Sequence, residues 1–186
     1  MSTGYKLSDK EGVYYLTFQI VGWVDIFTRK IYRDIVIESL KYCQQNKGLN
    51  LFAYVIMSNH IHLMAQSQHG DLSGFIRDFK NYTSKQFLEV VNSDIESRND
   101  WMKIVFEYHA KLKSKQTNQI WTHENHAELI YSQKFVEQKL TYIHNNPVKS
   151  GIVLNPEDYL YSSARNYAGL DSVIDVIVLD LGWKTY

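Results

Sequence analysis

The chain has 186 residues, 45 % hydrophobic and 22 % charged, with 20 Lys plus Arg against 20 Asp plus Glu. That length suits one domain around one core, and the balance excludes a disordered or collagen-like chain. Zero formal net charge argues against an electrostatic nucleic-acid coat, so a phosphate-binding surface would have to come from unevenly placed cations.

No apolar run approaches the roughly 18 residues of a membrane span. Met1-Ser2-Thr3-Gly4-Tyr5-Lys6 lacks the pattern of a signal peptide, and Cys43 stands alone, without a disulfide partner or a cysteine zinc site. A cytoplasmic protein is expected.

From Val13 to Val21, Tyr14, Leu16, Phe18 and Ile20 recur at period two and predict a strand. Thr28 can cap a helix with apolar positions Ile31, Ile35, Ile37, Leu40 and Cys43, stopping at Gly48. Leu51 to Met57, a Ser58-Asn59 turn and alternating His60 to Gln66 read as a hairpin. A helix follows from about Leu72 to Val91, its stripe Leu72, Phe75, Ile76, Phe79, Thr83, Phe87 and Val90. Arg77, Lys80 and Lys85 fall off that stripe and are expected to face solvent. Asp94 to Asp100 reads as a loop, Trp101 to Leu112 as a helix, and Gln119 to Thr122 as a short strand. Ser132 caps a helix from Gln133 to Asn145, which Asn146-Pro147 should end because the residue before proline avoids helical angles. Ser172 to Leu179 fits a strand or a short helix. This order predicts an α+β fold, a ferredoxin-like sandwich with an antiparallel sheet and helices mainly on one face.

His60-Ile61-His62 is the sharpest chemical signal. On a strand, residues i and i+2 share a face, so two imidazoles over buried Ile61 and Leu63 can hold one divalent metal. The pair follows a turn, where functional groups are exposed. A bland pair of surface or hydrogen-bonded histidines is the alternative. The second signal is Tyr142 and Asn146, about 40° apart on a helix and beside the stripe Val136, Leu140 and Ile143. Packing for the tyrosine and capping for the asparagine are the plain alternatives. Together, two imidazoles and an amide oxygen leave metal positions open for phosphate oxygens, and a tyrosine one turn away can attack the phosphorus.

The segments 54–63, 75–85, 138–151 and 161–167 resemble the IS200-like single-tyrosine transposases, especially the branch associated with repetitive extragenic palindromes. The resemblance spans about residues 10 to 168, so the chain is expected to be one domain over 1–186 with a tail from 169. It implies a ferredoxin-like core that cleaves and rejoins single-stranded DNA with hairpin or palindromic elements. The cut leaves a 5′-phosphotyrosine and a free 3′-hydroxyl, and depends on Mg²⁺ or Mn²⁺. Residue by residue, it makes Tyr142 the nucleophile and His60, His62 and Asn146 the metal ligands. Insertion-sequence members act as dimers and the palindrome branch includes monomers, so a homodimer stays open.

Arg77, Lys80, Lys85, Lys149 and Arg165 are the candidate DNA contacts, with the Lys111 to Lys115 cluster on the same side. Solvated side chains are the alternative reading. Tyr82 is the rival nucleophile, ranked below Tyr142 for want of an amide partner. His123-Glu124-Asn125-His126 is a weaker metal candidate without a third ligand. His69, His109 and His144 are singletons, the last expected to be exposed or capping. Trp23, Trp101, Trp121 and Trp183 read as packing. A histidine-triad nucleotide hydrolase fails because Met64 stands where a third alternate histidine is needed. The second function class is a domesticated, non-catalytic DNA-binding protein of the same fold.

Overall fold

The structure, a computed structural model, describes residues 7, 9–113 and 117–180, without the Lys113 side chain. Strands β1 (Tyr14–Gln19), β2 (Leu49–Ile56), β3 (His60–Ser67) and β4 (Glu128–Leu129) alternate with helices α1 (Lys30–Asn46), α2 (Leu72–Val91), α3 (Asn99–Lys113), α4 (Gln133–Lys149) and α5 (Ala164–Tyr167). The sheet runs β2-β3-β1-β4 and every pairing is antiparallel. This is the ferredoxin-like order, with α1 and α2 as its crossovers. The α+β expectation holds.

The register sets which side chains share a face. Thr17 pairs with His62 and Gln19 with His60, so Tyr15, Thr17, Gln19, His60 and His62 line one face. Tyr14, Leu16, Phe18, Ile61 and Leu63 line the other and are essentially sealed from solvent. There Phe18 meets Phe79 of α2 and Trp121, whose Nε1 donates to Thr83 Oγ1 at 2.9 Å. Trp121 is a core residue that still meets its polar demand. α4 covers the opposite face, anchored by Leu140 and Ile143.

The outer edge of β2 is closed by the chain's late segment. Val55 bridges Ser162, the Ile56 N–H donates to the Tyr161 carbonyl, and the Ser163 N–H to the Tyr54 carbonyl. An edge so paired is closed to further strands. Among the described residues no helix is long and apolar enough to cross a membrane.

Some local expectations give way to tertiary structure. Thr28 ends a 3₁₀ turn and donates its hydroxyl to the Asp25 carbonyl at 2.7 Å, so Arg29 stands at the N-cap position of α1, without a side-chain cap. Asn146-Pro147 does not end α4. Pro147 sits inside its last turn with the ring buried, and the stop comes at Gly151, left-handed at φ 69°. Packing of the ring offsets the lost N–H donor. Gln119 to Thr122 forms only an isolated bridge, Trp121 to Ile20, because neighbouring groups are bonded elsewhere. Residues 172–179 adopt neither strand nor helix; Ile177 donates once to the Leu51 carbonyl.

Candidate active site

The hairpin of β2 and β3 places His60 and His62 side by side, ring centroids 4.8 Å apart. His62 is held from behind. Its Nδ1 lies 2.8 Å from the Tyr15 hydroxyl and 2.9 Å from Thr17 Oγ1, and its ring stacks on Tyr15. Its Nε2 is buried with no hydrogen-bond partner among the described residues. His60 Nδ1 lies 2.7 Å from Asn59 Oδ1; an amide oxygen only accepts, so Nδ1 carries the proton and Nε2 the lone pair.

Burial lowers the His60 pKa, and burial first, then the His60 and Lys139 charges, hold His62 down to about 3. Both rings are therefore neutral at pH 7, the form that ligates metal. Contrary to the expectation from the turn, the pair is not exposed: His62 is 4 % accessible and His60 half-buried. Tyr15 and α4 cover the face on which they lie.

Tyr142 comes to this pair from α4. Its ring stands edge-on to His62 at 5.3 Å and to Tyr15 at 6.2 Å, and the residue keeps 41 % of its surface accessible. The phenol therefore touches the histidine without being sealed in. Lys149 Nζ lies 5.6 Å from the Tyr142 ring, and Lys139 Nζ lies 4.1 Å from the Tyr15 ring while paired with Glu128 at 2.9 Å. These groups line an open cleft of about 800 Å³. Asn146 makes no hydrogen bond to either imidazole among the described residues. Its amide nitrogen is 3.4 Å from the Tyr142 carbonyl, one turn back along α4.

The residues present fit a divalent ion. An orphaned buried Nε2 beside a second neutral imidazole is the chemistry of a metal site, and the hydroxyls behind His62 are the second layer that orients such ligands. No group of three or more His, Cys, Asp or Glu converges among the described residues, so further ligands would be amide, water or phosphate oxygens.

The other candidates separate. Arg77, Lys80 and Lys85 line a second cleft of about 810 Å³ between α2 and residues 118–127. Lys80 lies over the Phe18 ring, so this cleft is on the sheet's other side. Lys80 is not a solvated surface cation. It is half-buried, donates to the Thr122 carbonyl at 2.8 Å, and burial pushes its pKa down to about 7. Arg165 donates to the carbonyls of Asp171 and Glu157, which ties down the late turns. Of the five candidate DNA contacts, only Lys149 lines the tyrosine cleft. Lys111 is exposed on α3 and lines neither cleft; the Lys113 side chain and Lys115 lie outside the described residues, as does Trp183.

Tyr82 is exposed on α2 and lines neither cleft. His123 and His126 face different clefts, so they form no shared site. His144 is not exposed: its Nε2 lies 2.9 Å from Ser163 Oγ, its ring meets Tyr167, and burial lowers its pKa to about 4.

Tyr15, Thr17 and Lys139 escaped the sequence reading. The signal available was the second face of the first strand, Tyr15-x-Thr17-x-Gln19. It becomes informative only once that strand is paired with the histidine strand.

Residues 13–110 match the family model described as transposase, IS200-like. The chain belongs to the IS200-like transposases. The match covers both histidines and ends before α4. A solved REP-associated tyrosine transposase bound to a REP hairpin is similar over 100 % of this chain and 99 % of its own, with 19 % identity and a TM-score of 0.57. That likeness extends this transposase's fold comparison through α4. A crystal structure of a proposed transposase from Deinococcus radiodurans aligns over 78 % of this chain and 97 % of its own, at 14 % identity and a TM-score of 0.42. No curated protein matches the chain.

Proposed function

We propose that this IS200-like transposase is a metal-dependent single-tyrosine enzyme that cleaves and rejoins single-stranded, hairpin-bearing DNA. The observation that carries the reading is the edge-on approach of Tyr142 to His62, whose outer nitrogen is buried and unpartnered. The hairpin partner is suggested by the REP hairpin on the similar structure.

His60 and His62 would hold the ion, Mg²⁺ or Mn²⁺, with the amide oxygen of Asn146 as third ligand. Bound there, the ion supplies charge neutralisation at the scissile phosphate and at the departing 3′ oxygen. Tyr142 gives its phenolic proton to water and its oxygen bonds to phosphorus. The bond from phosphorus to the 3′ oxygen breaks, and that oxygen takes up a proton as the free 3′-hydroxyl. The DNA 5′ end remains esterified to Tyr142, which conserves the phosphodiester for rejoining by the reverse reaction. Lys149, with Nζ 5.6 Å from the Tyr142 ring, meets the incoming phosphate. Tyr15 and Thr17 fix the His62 ring. Arg77, Lys80 and Lys85 serve DNA flanking the cut on the far side of the sheet.

The test is a hairpin oligonucleotide with Mn²⁺, run on a denaturing gel. The wild type leaves a protein-linked strand and Tyr142→Phe leaves none. Binding of the hairpin by the wild type without any adduct would instead identify a non-catalytic DNA-binding protein.

A further inference from the structure

Tyr131 stands between β4 and α4 with 79 % of its surface accessible, the most exposed aromatic residue among the described residues. One face of its ring is taken. It stacks on Phe135, one turn into α4, with centroids 5.1 Å apart and planes inclined at 25°. A side chain just before a helix N-cap often packs on the first turn and fixes the entry of the chain. Such packing buries the ring it uses, whereas Tyr131 keeps its outer face in solvent. A ring stacked on one side and open on the other is a platform to which one further flat group can add.

Lys139 joins this platform to the tyrosine cleft. Its ammonium lies 5.2 Å from the Phe135 ring and 4.1 Å from the Tyr15 ring, and Tyr15 meets both His62 and Tyr142. Phe135, Lys139 and Tyr142 fall at i, i+4 and i+7 and share one face of α4, with about 10 Å of helix rise from Phe135 to Tyr142. The cleft carries Lys134, Lys139 and Lys149 against Glu128 and Glu137, and Lys139 and Glu128 already pair. Lys134 is exposed next to Phe135 and forms no ion pair among the described residues. An open ring beside an uncompensated cation suits a ligand that joins a π surface to phosphate.

We infer that Tyr131 and Phe135 form a stacking platform for an unpaired base flanking the phosphate that Tyr142 attacks, with Lys134 on the adjoining backbone phosphate. The inference rests on the single-strand reading above and adds how the strand is held. Every base has a π face, so the platform separates unpaired from paired DNA and tolerates any base. A base inside a duplex has both faces covered by its neighbours and cannot add to Tyr131.

The test is fluorescence anisotropy of the full chain with a labelled oligothymidylate of about 12 nucleotides, a length that one such module can cover. EDTA is present so that no cleavage competes. An abasic sugar-phosphate strand of equal length carries the same charge without bases. The wild type is expected to prefer thymidylate to the abasic strand by at least about fivefold, and Tyr131→Ala to lose that preference. Tyr131→Trp should keep it, because only the ring is required. Circular dichroism should be the same for all three, since the position is so exposed. A wild type without the preference overturns the proposal, as does Tyr131→Ala retaining it, the outcome for a ring reserved for a protein partner. Equal loss of affinity for both strands also overturns it, by making Tyr131 a structural support. The adduct on Tyr142 is scored separately with the hairpin and Mn²⁺. Adduct formation without the base preference sinks the platform alone, and the preference without an adduct sinks the catalytic reading alone.

Discussion

Tyr142 and His62 meet across the seam between α4 and β3, ring centroids 5.3 Å apart and planes inclined at 69°. The contact joins parts of the sequence that lie far apart, and it exists because both elements use the same face of the sheet. β3 contributes every second residue to that face, and α4 is pressed on it by Leu140 and Ile143. What α4 leaves outside that contact, the phenol of Tyr142, is open to solvent.

Tyr142→Phe removes one hydroxyl from a partly exposed side chain whose oxygen makes no hydrogen bond among the described residues. The fold should hardly register it, with stability changed by no more than about 0.5 kcal/mol. The covalent adduct should vanish while hairpin binding, followed by fluorescence anisotropy, stays within a factor of a few. An adduct that persists in this variant would move the nucleophile elsewhere, with Tyr82 the first alternative to examine.

Tyr15→Phe tests the support behind His62. The variant keeps the stacked ring but takes away the hydroxyl 2.8 Å from Nδ1, leaving Thr17 to hold the imidazole. Loss of such a second-layer partner weakens metal affinity by about 10- to 100-fold. Mn²⁺ titration followed by electron paramagnetic resonance should show that loss, deepened in Tyr15→Phe with Thr17→Val. An unchanged Mn²⁺ affinity would make the Tyr15 contact structural only.

Local pattern made much of this legible. The strand and helix periods gave α2 at its observed bounds and the hairpin to within a residue or two, because both bury one face and tolerate polar groups on the other. The His60–His62 pairing followed from strand geometry alone. Tertiary facts were not legible in the same way. Lys80 looked like a surface cation because its angular position lies off the buried stripe, yet the segment 118–127 folds over it. His144 looked free until Ser163 and Tyr167 arrived from the two ends of α5. Pro147 obeyed packing over its own backbone preference, the buried ring offsetting the helical bond that its missing N–H forgoes. Each miss involves contact with a segment distant in sequence, which no window of neighbouring residues contains.

Ile143 is fully buried and fixes α4 to the sheet. Ile143→Ala should cost about 2 to 5 kcal/mol by leaving a cavity. Because α4 also carries Tyr142, adduct formation should fall more than hairpin binding does, even at a temperature where the variant remains folded by circular dichroism. Equal losses in both would mean that α4 positions the DNA as much as the nucleophile.

Lys80 gives the pH dependence a definite sign. Its amine titrates near 7 in the folded chain because burial disfavours its charge, against 10.5 when unfolded. Between those values the unfolded chain holds a proton that the folded chain lacks, so this group makes stability rise with pH from about 7 to about 10. Below pH 7 both states are protonated and the full penalty of the buried charge, a few kcal/mol at most, is present. Lys80→Met keeps the packing of the stem over Phe18 and deletes the charge. Urea unfolding at pH 6, 7.5 and 9 should therefore find the variant most favoured over wild type at pH 6, with the difference shrinking toward pH 9. If Lys80 also meets DNA phosphate, hairpin binding by the wild type should weaken over the same rise in pH, and that sensitivity should disappear in Lys80→Met. A stability difference that does not vary with pH would mean that the folded amine titrates in the ordinary lysine range.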